Sequence, residues 1–402
     1  MIAEAAPRAR AVGPRPPSHG WRVARAVLAL LLLSGAVFAL ATATTGHSFW
    51  SRVIAWQESD FADWQLFPSR EVANDAGYIL PLAARADAAD PWPFAVTVDA
   101  DAGGTGALED LLAANGTAAF IVLHGDEIIY ERYLNGYTDE STMTSFSTAK
   151  SFVSALVGAA IADGFIGSVD DPITTYLPEL EGRGLDGVTI AHLLSMASGI
   201  AYDGGGAGGM PWQDDAKTYY DPELRALALS VSASSPPGTW QYNNYHPLLL
   251  GMMLERATGM AVADYLSQEI WQPVGMEASG SWSLDSIEDG FEKMESGINA
   301  RARDFARFGL LYAREGMIDG RQVVPADWVA TSTSPKAADD YGFMWWVQSA
   351  GDQPAFAARG NLGQVIFVVP GTDVVVVRFG ERYGQVDWMG LAAEVAAQAT
   401  AR

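Results

Sequence analysis

Four lysines occur in the 402 residues, Lys150, Lys217, Lys293 and Lys336, and one of them closes the only S-x-x-K of the chain, Ser147-Thr148-Ala149-Lys150. The residues that follow it, Phe152–Phe165, are almost wholly apolar or small and recur at helical spacing. In a helix, positions three apart share a face one turn from each other, so the hydroxyl and the amine meet. An apolar setting desolvates a lysine and favours the neutral amine. Such an amine can take the proton of a serine hydroxyl, which is what a serine nucleophile without histidine requires. A helix N-terminus adds backbone N–H groups where an oxyanion would form. The competing reading is an N-capping Ser147 beside a snorkelling Lys150. The scarcity of lysine and the apolar flank argue against it.

Two further signals follow in order. Tyr242-Asn243-Asn244 forms a Y-x-N shortly after Pro237-Gly238-Thr239. A phenol near an ammonium group yields its proton more readily and can pass it from nucleophile to leaving group. The Asn244 amide can orient the lysine and a substrate carbonyl. A second Y-x-N, Tyr133-Leu134-Asn135, falls on a predicted hairpin and reads as structural, and His246 reads as an ordinary loop histidine. Third, Ala358-Arg359-Gly360-Asn361-Leu362-Gly363-Gln364 precedes the strand Val365–Val369, and glycines there let a substrate lie against the backbone.

Other chemistries fall away by counting. No cysteine is present, which removes thiolate nucleophiles, Cys-zinc sites and iron–sulfur clusters. None of the five histidines makes an H-x-x-H or H-E-x-x-H pair, and neither a P-loop nor a G-x-S-x-G occurs. No metal and no organic cofactor is expected. Asp99, Asp101, Gly104 and Asp110 echo a calcium loop, but Gly103 and the lack of a closing Glu leave a polar turn as the better reading. A G-x-G-x-x-G over Gly204–Gly209 lacks a preceding strand and reads as a flexible loop.

The charge distribution bounds the partners. Net charge is -23; the first 25 residues carry five arginines against Glu4, leaving 20 basic and 47 acidic groups in the rest. A body so acidic repels phosphate backbones, which excludes nucleic acid as a partner. Ala26–Ala43 is eighteen residues without a charge behind that basic segment. It reads as a membrane anchor or a cleaved signal with the body outside the cytoplasm, in the cell envelope, and Phe49, Trp50 and Trp56 favour the anchor.

These residues need elements to hold them. Residues 1–25 read as a disordered basic segment, 26–44 as the apolar helix, 45–105 as an irregular extension and 106–402 as the working domain. Within that domain a helix is expected near Ala107–Ala114. A hairpin follows, Ala118–Leu123 and Ile128–Leu134, then helices at Phe152–Phe165, Val188–Met196 and Pro247–Ala257. Strands are expected at Phe343–Val347, Val365–Val369 and Val374–Phe379, with a closing helix at Trp388–Ala399. The fold class is α+β: an antiparallel sheet built from both chain ends and flanked by helices, with a mostly helical lobe at about 185–290. The hydrophobic content of 49% supports a sizeable core.

With these motifs in this order, the chain from about residue 106 to 400 resembles the serine β-lactamase/penicillin-binding superfamily, and within it the class C-like esterases and 6-aminohexanoate-dimer hydrolases. The likeness also runs through Val169-Asp170-Asp171-Pro172, through His192-Leu193-Leu194-Ser195-Met196-Ala197-Ser198-Gly199 and through Asn299-Ala300-Arg301-Ala302-Arg303-Asp304. The resemblance implies Ser147 as acylated nucleophile, Lys150 as its activating partner, Tyr242 as proton relay and Asn244 as supporting hydrogen-bonder. It also implies an oxyanion hole from the N–H groups of Ser147 and Asn361, with Arg359 and Gly360 on the substrate side. Two departures matter: Ala358-Arg359-Gly360 stands where β-lactamases have K-T-G, and Met196 stands where the penicillin-binding branch has a histidine. The expectation is an ester or short-amide hydrolase acting on a small molecule. Its rivals are a β-lactamase or D-Ala-D-Ala carboxypeptidase, and a non-catalytic binding or sensor protein on the same fold.

Overall fold

The computed structural model describes residues 19–45, 48–75, 77–99, 104–205 and 209–400. The basic residues 1–18, the 100–103 part of the calcium-like loop and the centre of the Gly204–Gly209 stretch lie outside them. Two compact units divide at Gln57/Glu58.

In the first unit a helix runs His19–Thr45. Its window Val23–Leu40 has a mean hydropathy of 2.3 and is exposed, and by length and composition it is able to cross a membrane. A short helix, Phe49–Trp56, follows, with Ser48 Oγ accepting the Ser51 N–H at 3.2 Å.

In the second unit the main sheet has seven strands in the order Trp346–Ala350, Gln353–Gly360, Gln364–Val369, Val374–Gly380, Thr117–His124, Glu127–Tyr133 and Ala83–Ala84. All pairings are antiparallel except the last, which is parallel. Both chain ends thus supply the sheet. The run Val374-Val375-Val376-Val377 shows why these strands are apolar throughout: successive side chains point to opposite faces. Val374 and Val376 pack with Phe367 under the closing helix Trp388–Thr400, whereas Val375 and Val377 pack with Ile366 in the central core. Helix Ala302–Ala313 presses on that inner face, where Gly309 leaves room for Val375; a Cβ there would come within 2.6 Å of it.

A four-stranded antiparallel sheet, ordered Ser69–Val72, Gly280–Ser283, Ile298–Arg301 and Thr142–Thr144, lies in the same unit. The segment expected to be irregular therefore supplies an edge strand to each of these two sheets. Thr142–Thr144 leads into a 3-10 turn, Phe146–Thr148, and on into helix Ala149–Ala162. Residues 149–160 of that helix are buried all round, with Phe152 stacked on Phe308 at 3.6 Å. The lobe contributes helices Ile190–Leu194, Asp214–Tyr220, Leu224–Leu229 and Tyr245–Thr258.

Three expectations need correction. The strand placed at Phe343–Val347 begins only at Trp346. Gly342–Trp345 is a turn, closed by Gly342 N–H donating to Trp345 O at 2.8 Å with Met344 at φ 60°. Its side chains are apolar because they fill the core. The helix expected to reach Met196 stops at Leu194, because Met196 adopts φ 59°. His246 lies in the first turn of helix Tyr245–Thr258, fully buried, rather than in a loop.

Candidate active site

Helix Ala149–Ala162 carries Lys150 in its first turn, with Ser147 in the 3-10 turn before it. Lys150 is 1% exposed. Its Nζ donates to Ser147 Oγ at 2.8 Å and to the backbone carbonyl of Glu295 at 2.9 Å. No carboxylate lies within ion-pair distance of it among the described residues. The ammonium sits 4.9 Å from the centre of the Tyr242 ring. Once neutral, an amine at 2.8 Å can accept the hydroxyl proton directly.

The backbone here is held under strain. Phe146, immediately before Ser147, has φ 43°, a conformation that costs a bulky residue about 1–3 kcal/mol. Its surroundings impose it: Ser145 N–H donates to Ile298 O at 2.8 Å, and Ser145 Oγ accepts the Ile298 N–H at 3.0 Å. Opposite stands Gly360, where a Cβ would fall 2.6 Å from Ser145 O, so glycine is what lets the strand end meet the nucleophile turn. The turn Asn361–Gly363 follows, with Leu362 at φ 57°. Arg378, buried by its stack on Trp388 at 3.8 Å, donates to Leu362 O from behind. Burial pushes the Arg378 guanidinium down to about 9. The Asn361 side chain donates to Ser59 Oγ at 3.1 Å.

One cleft of about 720 Å³ is lined by Ser147, Tyr242, Asn244, Arg359, Gly360 and Asn361 together. Every candidate site residue thus faces this space except Lys150, which is buried and bonded to Ser147. Tyr242 stacks on Trp346 at 6.1 Å and meets Tyr341 edge-on at 6.3 Å. Arg359 donates to Tyr383 at 3.2 Å and lies over Trp346 at 5.5 Å. Asn244 departs from its expected partner: its Nδ2 donates to Asp215 at 3.0 Å, and no hydrogen bond joins it to Lys150. Asp215 also accepts the Tyr202 hydroxyl and the Gly205 N–H.

Sequence reasoning gave no role to Asp215, Glu295, Trp346 and Tyr383, all of which line the cleft. None belongs to a local motif, and Glu295 reaches Lys150 across 145 positions. His246 is buried at the base of the lobe, and its Nε2 lies 2.6 Å from Ser198 Oγ, which also accepts the Ile200 N–H. A thioether sulfur can only accept, so the 3.2 Å contact with Met196 Sδ favours the ring proton on Nδ1, which leaves Nε2 to accept from the Ser198 hydroxyl. Burial, with the Lys150 charge adding to it, lowers His246 to about 3, so the ring is neutral and plays no acid–base part near pH 7.

The beta-lactamase family matches residues 106–400. The chain belongs to this family. The 6-aminohexanoate-dimer hydrolase of Paenarthrobacter ureafaciens is 28% identical over 358 residues, 81% of this chain and 86% of the relative. Esterase EstB of Burkholderia gladioli is 33% identical over 191 residues, 42% of this chain and 48% of its own length. A solved structure from Bacillus anthracis, provisionally assigned as a 6-aminohexanoate-dimer hydrolase, superposes with a TM-score of 0.72 at 24% identity, covering 85% of this chain and 91% of that one. This family member is thus a hydrolase of the β-lactamase fold with amide-hydrolase and esterase relatives.

Proposed function

We propose that the protein is a serine hydrolase that cleaves carboxylic esters or short amides through an acyl-Ser147 intermediate. The observation that carries this reading is the 2.8 Å contact between Lys150 Nζ and Ser147 Oγ at the floor of an open cleft. In the first step the Lys150 amine takes the hydroxyl proton as Oγ bonds to the carbonyl carbon. The carbonyl oxygen becomes an oxyanion received by the N–H groups of Ser147 and Asn361. Collapse breaks the bond to the alkoxide or amine, which leaves with a proton passed through Tyr242. Water then adds to the acyl-enzyme, giving up its proton by the same relay, and the carboxylic acid departs as Ser147 recovers its hydrogen.

Ala358, where K-T-G would place its lysine, is buried and uncharged, so the ammonium that meets a penicillin carboxylate has no counterpart at that position. Short esters and linear amides, the chemistry named for the relatives, are the better substrates. The apolar N-terminal helix tethers or exports the body, which works outside the cytoplasm in the cell envelope.

A panel of p-nitrophenyl esters and linear short amides, with a chromogenic cephalosporin as comparison, tests the reading. Turnover of an ester or amide that disappears in Ser147→Ala is expected. Turnover that survives in the variant, or a cephalosporin as the sole substrate, overturns it.

A further inference from the structure

We propose that Lys293 is a positioning residue for Lys150, acting through Glu295; this rests on Ser147 and Lys150 forming the acylating pair. Among the described residues, Lys150 makes two hydrogen bonds, to Ser147 Oγ and to the Glu295 carbonyl. That carbonyl belongs to the turn Lys293–Gly297, which is neither helix nor strand. Trp282 cinches the turn, its Nε1 donating to Lys293 O and to Ser296 O at 3.0 Å each. Ser283 N–H donates to Gly297 O at 2.8 Å, and Gly297 supplies φ 87°.

Inside this turn lies a buried ion pair. Lys293 Nζ donates to Glu295 Oε1 at 3.0 Å and to Tyr219 O at 2.6 Å. Ser296 Oγ donates to the same Oε1 at 2.9 Å. The ammonium also sits over the rings of Phe67 and Tyr219, at 4.7 and 4.5 Å. Lys293 is 1% and Glu295 3% exposed, and burying such a pair is a poor route to stability. Its position offers a better account. Glu295 is held at its carbonyl by one lysine and at its carboxylate by another. Glu295 Oε2 has no hydrogen-bond partner among the described residues.

Take Lys293 away, and a buried carboxylate is left with only the Ser296 hydroxyl. The ammonium already touching its own backbone is that of Lys150, and an uncompensated buried charge draws the nearest opposite one. Lys150 would then leave Ser147 for the Glu295 carboxylate, ion-paired and unable to act as base. Lys293 keeps that carboxylate occupied and so leaves Lys150 to the serine. Neutralising Glu295 in the same molecule removes the competitor, so the loss is reversible by a second substitution.

The test is the rate at which a fluorophosphonate probe labels the full chain, resolved into its limiting rate and its half-saturating concentration. Lys293→Met is expected to lower the limiting rate by about 10- to 100-fold with half-saturation unchanged. Lys293→Met with Glu295→Gln is expected to return to within about fivefold of wild type, and Lys293→Arg to remain near it. Labelling of Lys293→Met at the wild-type rate, or a double variant as slow as the single one, overturns the inference. Should Lys293→Met lose its near-UV circular dichroism, Lys293→Gln, which keeps a donor to Oε1, replaces it in the same pair. A wild type that takes no label contradicts the acyl-serine reading itself. A wild type that labels at Ser147 beside an equally fast Lys293→Met contradicts only the role of Lys293.

Discussion

The two walls of the cleft are built by different means. On the sheet side, Gly360, Asn361 and Ser147 are held at backbone atoms: a strand end lies against Ser145 O, the Arg378 side chain grips Leu362 O, and the Gln364 side chain exchanges two 2.8 Å hydrogen bonds with the Gly380 backbone. On the lobe side, Asp215 and Asn244 are placed by side chains bonding one another, and Asn244 Oδ1 has no partner among the described residues. A wall fixed by backbone admits few substitutions and suits chemistry common to many substrates. A wall of polar side chains can be rewritten residue by residue and suits the choice of substrate.

The sharpest way to break this contrast is at the nucleophile. Ser147→Ala and Lys150→Met should each lower kcat by about 10⁴-fold or more, and the double variant should be no worse, because the pair acts as a unit. Tyr242→Phe keeps the stack on Trp346 and loses the hydroxyl; kcat should fall about 10²- to 10⁴-fold with KM little changed. Gly360→Ala sets a methyl against Ser145 O and should cost about 100-fold in kcat for every substrate alike. On the opposite wall, Asp215→Asn and Asn244→Ala should move KM by about tenfold, by different factors for different acyl groups. A uniform loss of kcat from the lobe variants, or a substrate-dependent one from Gly360→Ala, would erase the distinction.

The smallest effect concerns stability. His246 sits at about 3 in the folded protein and near 6.5 when unfolded, so between these values the unfolded chain binds the extra proton. Its contribution is full above pH 6.5 and is lost as pH falls towards 3, by about 1 kcal/mol per pH unit. Asp304 works in the opposite sense: burial raises it from 3.8 to about 6, so its contribution is greatest below pH 3.8 and declines as pH rises to 6. Urea unfolding between pH 4 and 6.5 should therefore show stability falling less steeply with acid in His246→Asn than in wild type, and more steeply in Asp304→Asn. Identical slopes in all three would contradict the protonation states assigned to these two groups.

The same contrast explains what could be read from the sequence. Ser147 and Lys150 are legible because three-residue spacing on a helix is a local property, and Tyr242, Gly360 and Asn361 because short motifs flank them. The strands around Val365–Val369 and Val374–Phe379 are legible because burial on both faces demands unbroken apolar runs. Phe343–Trp345 misleads for the same reason: apolar residues filling a core from a turn look like a strand. Asp215 and Glu295 stay hidden, since their meaning comes from contacts with Tyr202, Asn244, Lys293 and Lys150, none of which any local spacing encodes. The short strands Ser69–Val72 and Ala83–Ala84 are recruited by sheet edges rather than by their own alternation.

The central claim is that Ser147 is an activated nucleophile, and intact mass of the body from residue 46 onward, after exposure to a fluorophosphonate probe, tests it most directly. Wild type should gain the mass of one adduct, and Ser147→Ala should gain none. An unmodified wild type, or an adduct that persists in the variant, would contradict it.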